Sequence, residues 1–110
     1  MAIANYSSTE QATGGTWVDG KRIYKKTVDI GSLPDNATKN VAHGISNLDT
    51  VIKMEGYAYE SPSFIPLPFV TNNDSNQVYL IVNATNIIIG TGANRSSFSG
   101  YVTLWYTKTN

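Results

Sequence analysis

The stretch that decides the fold class is LDTVIKMEGYAY, which covers residues 48–59. Apolar and polar side chains alternate along it with a period of two, which is typical of a β-strand that buries one face. We expect the buried face to consist of Leu48, Thr50, Ile52, Met54 and Ala58. The opposite face then carries Asp49, Val51, Lys53, Glu55, Tyr57 and Tyr59.

Two hairpins are indicated on either side of this strand. Residues 16–24, TWVDGKRIY, contain Asp19-Gly20 between two runs of strand-forming residues. Asp-Gly tolerates the positive φ angles of a type I′ turn, which matches the twist of paired strands. Residues 77–90 have the same organisation, so we predict a second hairpin there.

The end of the sequence predicts a closing strand. Residues 100–107, GYVTLWYT, place Val102, Leu104 and Tyr106 on one face, and we expect that face to point into the core. Three prolines between residues 61 and 68 exclude a central strand in that segment, because each proline removes a hydrogen-bond donor from a sheet.

These signals predict an all-β fold with seven or eight short strands. We expect a compact antiparallel β-sandwich, or a jelly-roll-like domain, formed by residues 16–110. Residues 1–15 are polar, end in Gly14-Gly15 and have no periodicity, so we predict that they form a lead segment or tether.

Composition excludes several classes of protein. Eight lysines and arginines balance eight acidic residues in 110 residues, so the excess positive charge of a nucleic-acid-binding protein is missing. There is no cysteine, which excludes disulfides and thiolate sites. The apolar runs, such as residues 87–89, are too short for membrane insertion. The first residues carry no visible secretion signal, so we expect synthesis in a cytoplasm.

Few residues could perform catalysis or hold a metal. His43 is the only histidine, and its place near an apolar strand favours a structural, hydrogen-bonded role over that of a general base. The carboxylates show no metal-ligand spacing, although Asp74 in an Asn-rich loop could join a calcium site. A glycan depolymerase needs paired carboxylates, for which Glu55 and Glu60 are the nearest candidates. We predict a non-enzymatic protein without cofactor or metal.

Aromatic residues are the remaining candidates for function. Five of them fall on strand faces opposite the predicted core, namely Trp17, Tyr57, Tyr59, Tyr101 and Trp105. Three interpretations stay open: a second sheet covers this face, another subunit covers it, or the rings bind a ligand. Tyr57, Tyr59 and Trp105 are our candidates for an interface or a glycan contact.

A family resemblance rests on four motifs in a fixed order. TWVDGKRIYKKT at residues 16–27 resembles the hairpin that opens a C-terminal β module of bacteriophage tail-fibre and head-fibre virion proteins. HGI at residues 43–45, LP at residues 67–68 and YVTLWYTKT at residues 101–109 are similar to later elements of that module. The similarity extends over about residues 14–110.

The resemblance implies a virion protein made in a bacterial host. Modules of this kind are homotrimeric fibre tips or head fibres, so we expect a homotrimer that contacts a bacterial surface polysaccharide. Other virion proteins would bind the N-terminal segment. The alternative is a structural subunit, decorating the capsid or assembling a baseplate, that has no ligand.

Overall fold

The computed structural model of the chain describes residues 6–73 and 76–109. These residues form eight strands in two antiparallel sheets. The strands are β1 (Gln11–Thr16), β2 (Arg22–Ser32), β3 (Thr38–Ala42), β4 (Leu48–Glu60), β5 (Ser63–Leu67), β6 (Val78–Val82), β7 (Asn86–Thr91) and β8 (Ser99–Lys108). A five-stranded sheet has the order β1-β2-β8-β4-β5, and a three-stranded sheet has the order β3-β7-β6. The prediction of an all-β sandwich is confirmed.

The core lies between the central strands of the two sheets. Val102, Leu104 and Tyr106 of β8 are fully buried, as predicted. They belong to one apolar cluster with Ile87 and Ile89 of β7, the middle strand of the three-stranded sheet. Burial of one such side chain contributes about 1.5–3 kcal/mol, so these two strands hold the sheets together. Across the described residues, no helix has the length and apolar character needed to traverse a bilayer.

The pairing of β4 with β8 is interrupted by two β-bulges, the second between Val51 and Lys53. A bulge inserts one extra residue and so reverses the alternation of side chains beyond it. Val51 therefore packs on the core, whereas Ile52 is only half-buried and Met54 is 36% exposed. The predicted burial of Ile52 is wrong for this reason. Met54 lies on the inner face, paired with Leu104, but its exposure also contradicts the prediction, while Ala58 is fully buried as predicted.

The first predicted hairpin is present, but its turn is of another type. The N–H of Trp17 donates to the carbonyl of Lys21, and the N–H of Gly20 donates to the carbonyl of Trp17, both at 2.9 Å. Gly20 has a φ of 87°, whereas Asp19 is not among the residues with positive φ. A type I′ turn needs positive φ at both positions. The chain instead uses a three-residue loop that ends in a left-handed glycine.

One edge of the five-stranded sheet differs from the sequence-based expectation, and the other agrees with it. β1 begins at Gln11, within the predicted tether, because Gln11 and Ala12 pair with Lys25 and Tyr24 of β2. At the other edge, β5 occupies the proline-rich segment, which is compatible with proline because an edge strand has one unpaired side. The second hairpin, β6 with β7, is confirmed.

Candidate functional site

Side chains on the outer face of the five-stranded sheet form rows that cross the strands. On β8, Tyr101, Thr103 and Trp105 point outward because they alternate with the buried Val102 and Leu104. Antiparallel pairing puts a β2 residue on one side of each and a β4 residue on the other. The three rows, about 7 Å apart along the strands, are Asp29–Tyr101–Tyr57, Thr27–Thr103–Glu55 and Lys25–Trp105–Lys53.

Four aromatic rings form a cluster at one end of this face, which we call the tyrosine platform: Tyr57, Tyr59, Phe64 and Tyr101. The rings of Tyr57 and Tyr101 are stacked, with centroids 6.0 Å apart, and Tyr59 lies 6.1 Å from Tyr57. Phe64 of β5 is 6.2 Å from both Tyr57 and Tyr59. Tyr57 and Phe64 are 41% and 68% exposed. The platform is therefore packed within itself but open to solvent.

A groove of about 600 Å³ lies beside the platform, and we call it the tyrosine groove. Tyr57 and Tyr101 form one wall, and Thr27 and Thr103 line its floor. The groove crosses from β2 to β4, which is two strand spacings or about 10 Å. Its volume is within the range of about 300–1,000 Å³ typical of small-molecule sites.

The second wall of the groove comes from the predicted tether. Tyr6, Ser7 and Ser8 line the groove, and the carbonyl of Ser7 accepts a hydrogen bond of 2.9 Å from the N–H of Thr27. The ammonium of Lys25 lies 4.1 Å from the centroid of the Tyr6 ring. Residues 6–8 are thus part of the site and not a free tether; residues 1–5 lie outside the described part of the chain.

Glu10 holds this N-terminal segment against β8. Its carboxylate accepts a hydrogen bond of 2.6 Å from the hydroxyl of the buried Tyr106 and another of 3.0 Å from the ammonium of Lys108. Partial burial raises the pKa of Glu10, but these two hydrogen bonds outweigh burial and keep its pKa below the ordinary value. Burial and the bond to Glu10 raise the pKa of Tyr106 far above the ordinary value. Glu10 therefore holds the N-terminal segment against β8 in its charged form.

The floor of the groove can still form hydrogen bonds. The hydroxyls of Thr27 and Thr103 are 2.9 Å apart and hydrogen-bond to each other. Since each hydroxyl has one hydrogen and two lone pairs, the pair keeps one donor and several acceptor positions for a ligand. Gly56 also lines the groove, and a side chain there would collide with the carbonyl oxygen of Tyr101.

Two carboxylates line the groove. Asp29 accepts a hydrogen bond of 2.9 Å from the N–H of Gly31, and its charge raises the pKa of Tyr101 above the ordinary value. Glu55 lies 3.7 Å from the ammonium of Lys53, and both side chains are more than half exposed. Exposed ion pairs of this kind contribute little. The charged side chains that line the groove among the described residues are therefore both acidic.

Two sequence-predicted residues are not brought together with the groove. Trp105 shares the outer face but lines a separate hollow of about 480 Å³ with Ile52 and Lys53, and the Lys53 ammonium lies 4.4 Å from its ring centroid. Glu60 does not line the groove with Glu55. Residues 55 and 60 are five apart on one strand and point to opposite faces, so the pair predicted for a depolymerase is not formed.

His43 has the structural role that the sequence favours. Its ring is buried; Nδ1 accepts a hydrogen bond of 3.1 Å from the N–H of Ile45, which leaves Nε2 to donate to the carbonyl of Asn83 at 3.0 Å. Within residues 6–73 and 76–109, no group of three metal-ligating side chains occurs. Asp74, the predicted calcium candidate, lies outside the described residues.

Part of the site could be predicted from the sequence. Tyr57 and Tyr59 were candidates and lie together on the platform, and Tyr101 was expected on the same face. Tyr6 and Phe64 were missed because one lies in a segment without periodicity and the other among prolines. The hydrogen bond from Thr27 to Ser7 holds Tyr6 at the groove, and the pairing of β5 with β4 brings Phe64 to the platform.

Comparisons with known proteins identify no relative of this chain. No protein-family model matches the sequence, and neither a curated protein nor a solved structure is significantly similar to the chain.

Proposed function

We propose that this protein is a non-enzymatic receptor-binding module of a bacteriophage virion fibre and that its tyrosine groove binds a bacterial surface glycan. The observation that supports glycan binding is the groove itself. It has tyrosine rings in its walls and, on its floor, threonine hydroxyls that can still form hydrogen bonds. The motifs of residues 16–27, 43–45, 67–68 and 101–109 support the virion assignment through their resemblance to fibre modules.

The chemistry of the groove matches that of a sugar. A pyranose ring has an apolar face of C–H groups, which packs on an aromatic ring, and an edge of hydroxyls, which needs hydrogen-bond partners. Tyr57 and Tyr101 offer the rings, and Thr27 and Thr103 offer the partners. The groove spans about 10 Å between β2 and β4, which accommodates a sugar unit within a chain.

The carboxylates of the groove favour binding over hydrolysis. Asp29 and Glu55 are separated by two strand spacings across the sheet and two residues along it, which places their Cα atoms about 12 Å apart. Glycosidases need two carboxyl groups that flank one bond within about 5–9.5 Å. A glycan depolymerase is therefore the less favoured assignment.

The experiment is a binding assay on an array of bacterial surface polysaccharides. We expect the protein to retain at least one polysaccharide, and Tyr57→Ala and Tyr101→Ala each to weaken that binding about 5- to 150-fold, because a lost ring contact is worth about 1–3 kcal/mol by analogy with base stacking. Tyr79→Ala is the matched control, since Tyr79 is 47% exposed on the three-stranded sheet.

Two results would overturn the assignment. Either no polysaccharide binds the wild-type protein, or Tyr79→Ala weakens binding as much as Tyr57→Ala does. Release of reducing ends from a bound polysaccharide would instead support the assignment as a glycan depolymerase.

A second candidate function is that of a structural subunit, which the exposure of Phe64 favours. Phe64 is 68% exposed at the β5 edge, outside the groove, and exposed apolar side chains mark interfaces. We expect light scattering to give about 36 kDa, three times the chain's 12.0 kDa, and Phe64→Ser to lower that mass. A trimer without glycan binding would favour capsid decoration or baseplate assembly; a wild-type monomer would remove this candidate.

A further inference from the structure

The charge of the tyrosine groove limits the kind of sugar that it can accept. Asp29 and Glu55 both line the groove, and no lysine, arginine or histidine among the described residues does so. A ligand with a carboxylate or a phosphate would therefore bring like charge against two acidic side chains. Anionic polysaccharides are disfavoured by that repulsion.

Neither carboxylate is neutralised by a strong ion pair. Asp29 forms none of the salt bridges found among the described residues, and its hydrogen bond comes from the backbone of Gly31. Glu55 has only the long, exposed contact with Lys53. The raised pKa of Tyr101, caused first by the charge of Asp29, reflects the same negative environment. Both carboxylates can therefore accept a hydrogen bond from a cation.

The tyrosine rings add a second attraction for positive charge. The face of an aromatic ring is electronegative and attracts a cation within about 6 Å of the ring centroid. In this molecule Lys25 already contacts Tyr6 in that way. Tyr101 lies beside Asp29 in one row, and Tyr57 lies two residues from Glu55 on β4, so a cation paired with either carboxylate also lies near a ring.

We propose that the tyrosine groove recognises amino sugars of a glycan chain, whose free ammonium groups pair with Asp29 and with Glu55. The ring of the sugar packs on Tyr57 and Tyr101, and its hydroxyls bond to the Thr27–Thr103 pair. This inference rests on the proposed function, since it names the class of sugar unit in the glycan. An N-acetylated sugar of the same shape lacks the charge and binds more weakly.

A lysine side chain of a partner protein is a less suitable occupant of the groove. It would satisfy the carboxylates, but its flexible hydrocarbon stem has no group to bond with the free donor and acceptors of Thr27 and Thr103. A sugar ring uses the carboxylates, the aromatic walls and the hydroxyl floor together.

The test compares three oligosaccharides of equal length by calorimetry with the intact protein. The probes are the hexamer of glucosamine, the hexamer of N-acetylglucosamine and the hexamer of galacturonic acid. The pH is held between about 5 and 6, above the ordinary carboxyl pKa values and low enough to protonate the amine. We expect the glucosamine hexamer to bind at least tenfold more tightly than the N-acetylated one, and the galacturonic acid hexamer not to bind.

Two variants that each remove one negative charge test whether binding of the ammonium groups depends on Asp29 and Glu55. Asp29→Asn and Glu55→Gln should each weaken binding of the glucosamine hexamer about tenfold, because a hydrogen bond to a charged group is lost. Asparagine keeps an oxygen for the N–H of Gly31, so the local turn is retained. Glu60→Gln is the control, because Glu60 is an exposed carboxylate of β4 outside the groove. Melting temperatures of all three variants check the fold.

The failure of this inference differs from that of the proposed function. If a neutral polysaccharide of the array binds through Tyr57 and the glucosamine hexamer binds no better than its N-acetylated form, the charge inference is overturned and glycan binding stands. The inference is also overturned if pentalysine displaces the glucosamine hexamer at equal concentration, which would indicate a peptide cation site. If no sugar binds at all, both fail.

Discussion

Each sheet of the sandwich exposes tyrosine on its outer face, and the two faces use it differently. On the three-stranded sheet, the ring of Tyr79 occupies the space where a side chain of Gly90 would stand, and its hydroxyl is 3.0 Å from that of Thr38. On the five-stranded sheet, Tyr57 and Tyr101 stack side by side and leave the groove open. We therefore treat an exposed tyrosine as a candidate for a binding site only where it borders a hollow whose polar groups can form further hydrogen bonds.

The largest expected effect comes from one substitution made in each sheet. Gly56→Ala should lower the free energy of unfolding by about 3 kcal/mol, because the new methyl group meets the backbone of Tyr101 and forces β4 and β8 apart. Gly90→Ala should cost about 1 kcal/mol, since it displaces only the end of the Tyr79 side chain. Urea denaturation measures both. Equal losses would contradict the difference between a backbone contact at Gly56 and a side-chain contact at Gly90.

A second prediction concerns the N-terminal segment that forms one wall of the groove on the five-stranded sheet. Glu10→Gln should lower the free energy of unfolding by about 1–2 kcal/mol at pH 7, because the charged hydrogen bonds from Tyr106 and Lys108 are lost. The pKa of Glu10 is lowered in the folded protein, so its contribution is present above the ordinary pKa and disappears as the pH falls below about 4.

Denaturation of both proteins from pH 7 to pH 3 checks this prediction. The two stability curves should converge at the acidic end. A gap between them that persists there would show that Glu10 acts through packing and not through its charge.

The smallest expected effect is at the surface pair of the groove. Lys53→Gln should change the free energy of unfolding by less than about 0.5 kcal/mol, because its contact with Glu55 is long and exposed. The same change removes the cation paired with Glu55, so binding of the glucosamine hexamer should become slightly tighter. Calorimetry of this variant measures both the sign and the size. Weaker binding would indicate that Lys53 itself contacts the ligand.

The sequence predicts the central strands better than the edges. β8 alternates without interruption, so Val102, Leu104 and Tyr106 were assigned to the core correctly. In β4 the bulge beside Ile52 breaks the period of two, and nothing in the local sequence marks the bulge. Bulges depend on the pairing with a distant strand, which a periodic pattern does not contain.

The candidate site could be predicted only in part for a related reason. Tyr57 and Tyr59 were recognised because they alternate with the buried Ala58 on a well-defined strand. The wall formed by residues 6–8 depends on hydrogen bonds to β2, far along the chain, and that segment has no apolar periodicity of its own. Trp105 was grouped with the tyrosines by face, but its row lies about 14 Å from that of Tyr101 and Tyr57 and it lines another hollow.

The most direct test of glycan binding by the groove is backbone amide spectroscopy. The ¹⁵N-labelled protein is titrated with a fragment of the polysaccharide that it binds on the array. We expect the shifts to concentrate on Ser7, Thr27, Gly56, Tyr101 and Thr103, with Thr38 and Tyr79 unchanged. Shifts centred on the three-stranded sheet, or no glycan bound at all, would contradict the assignment of this face as the binding site.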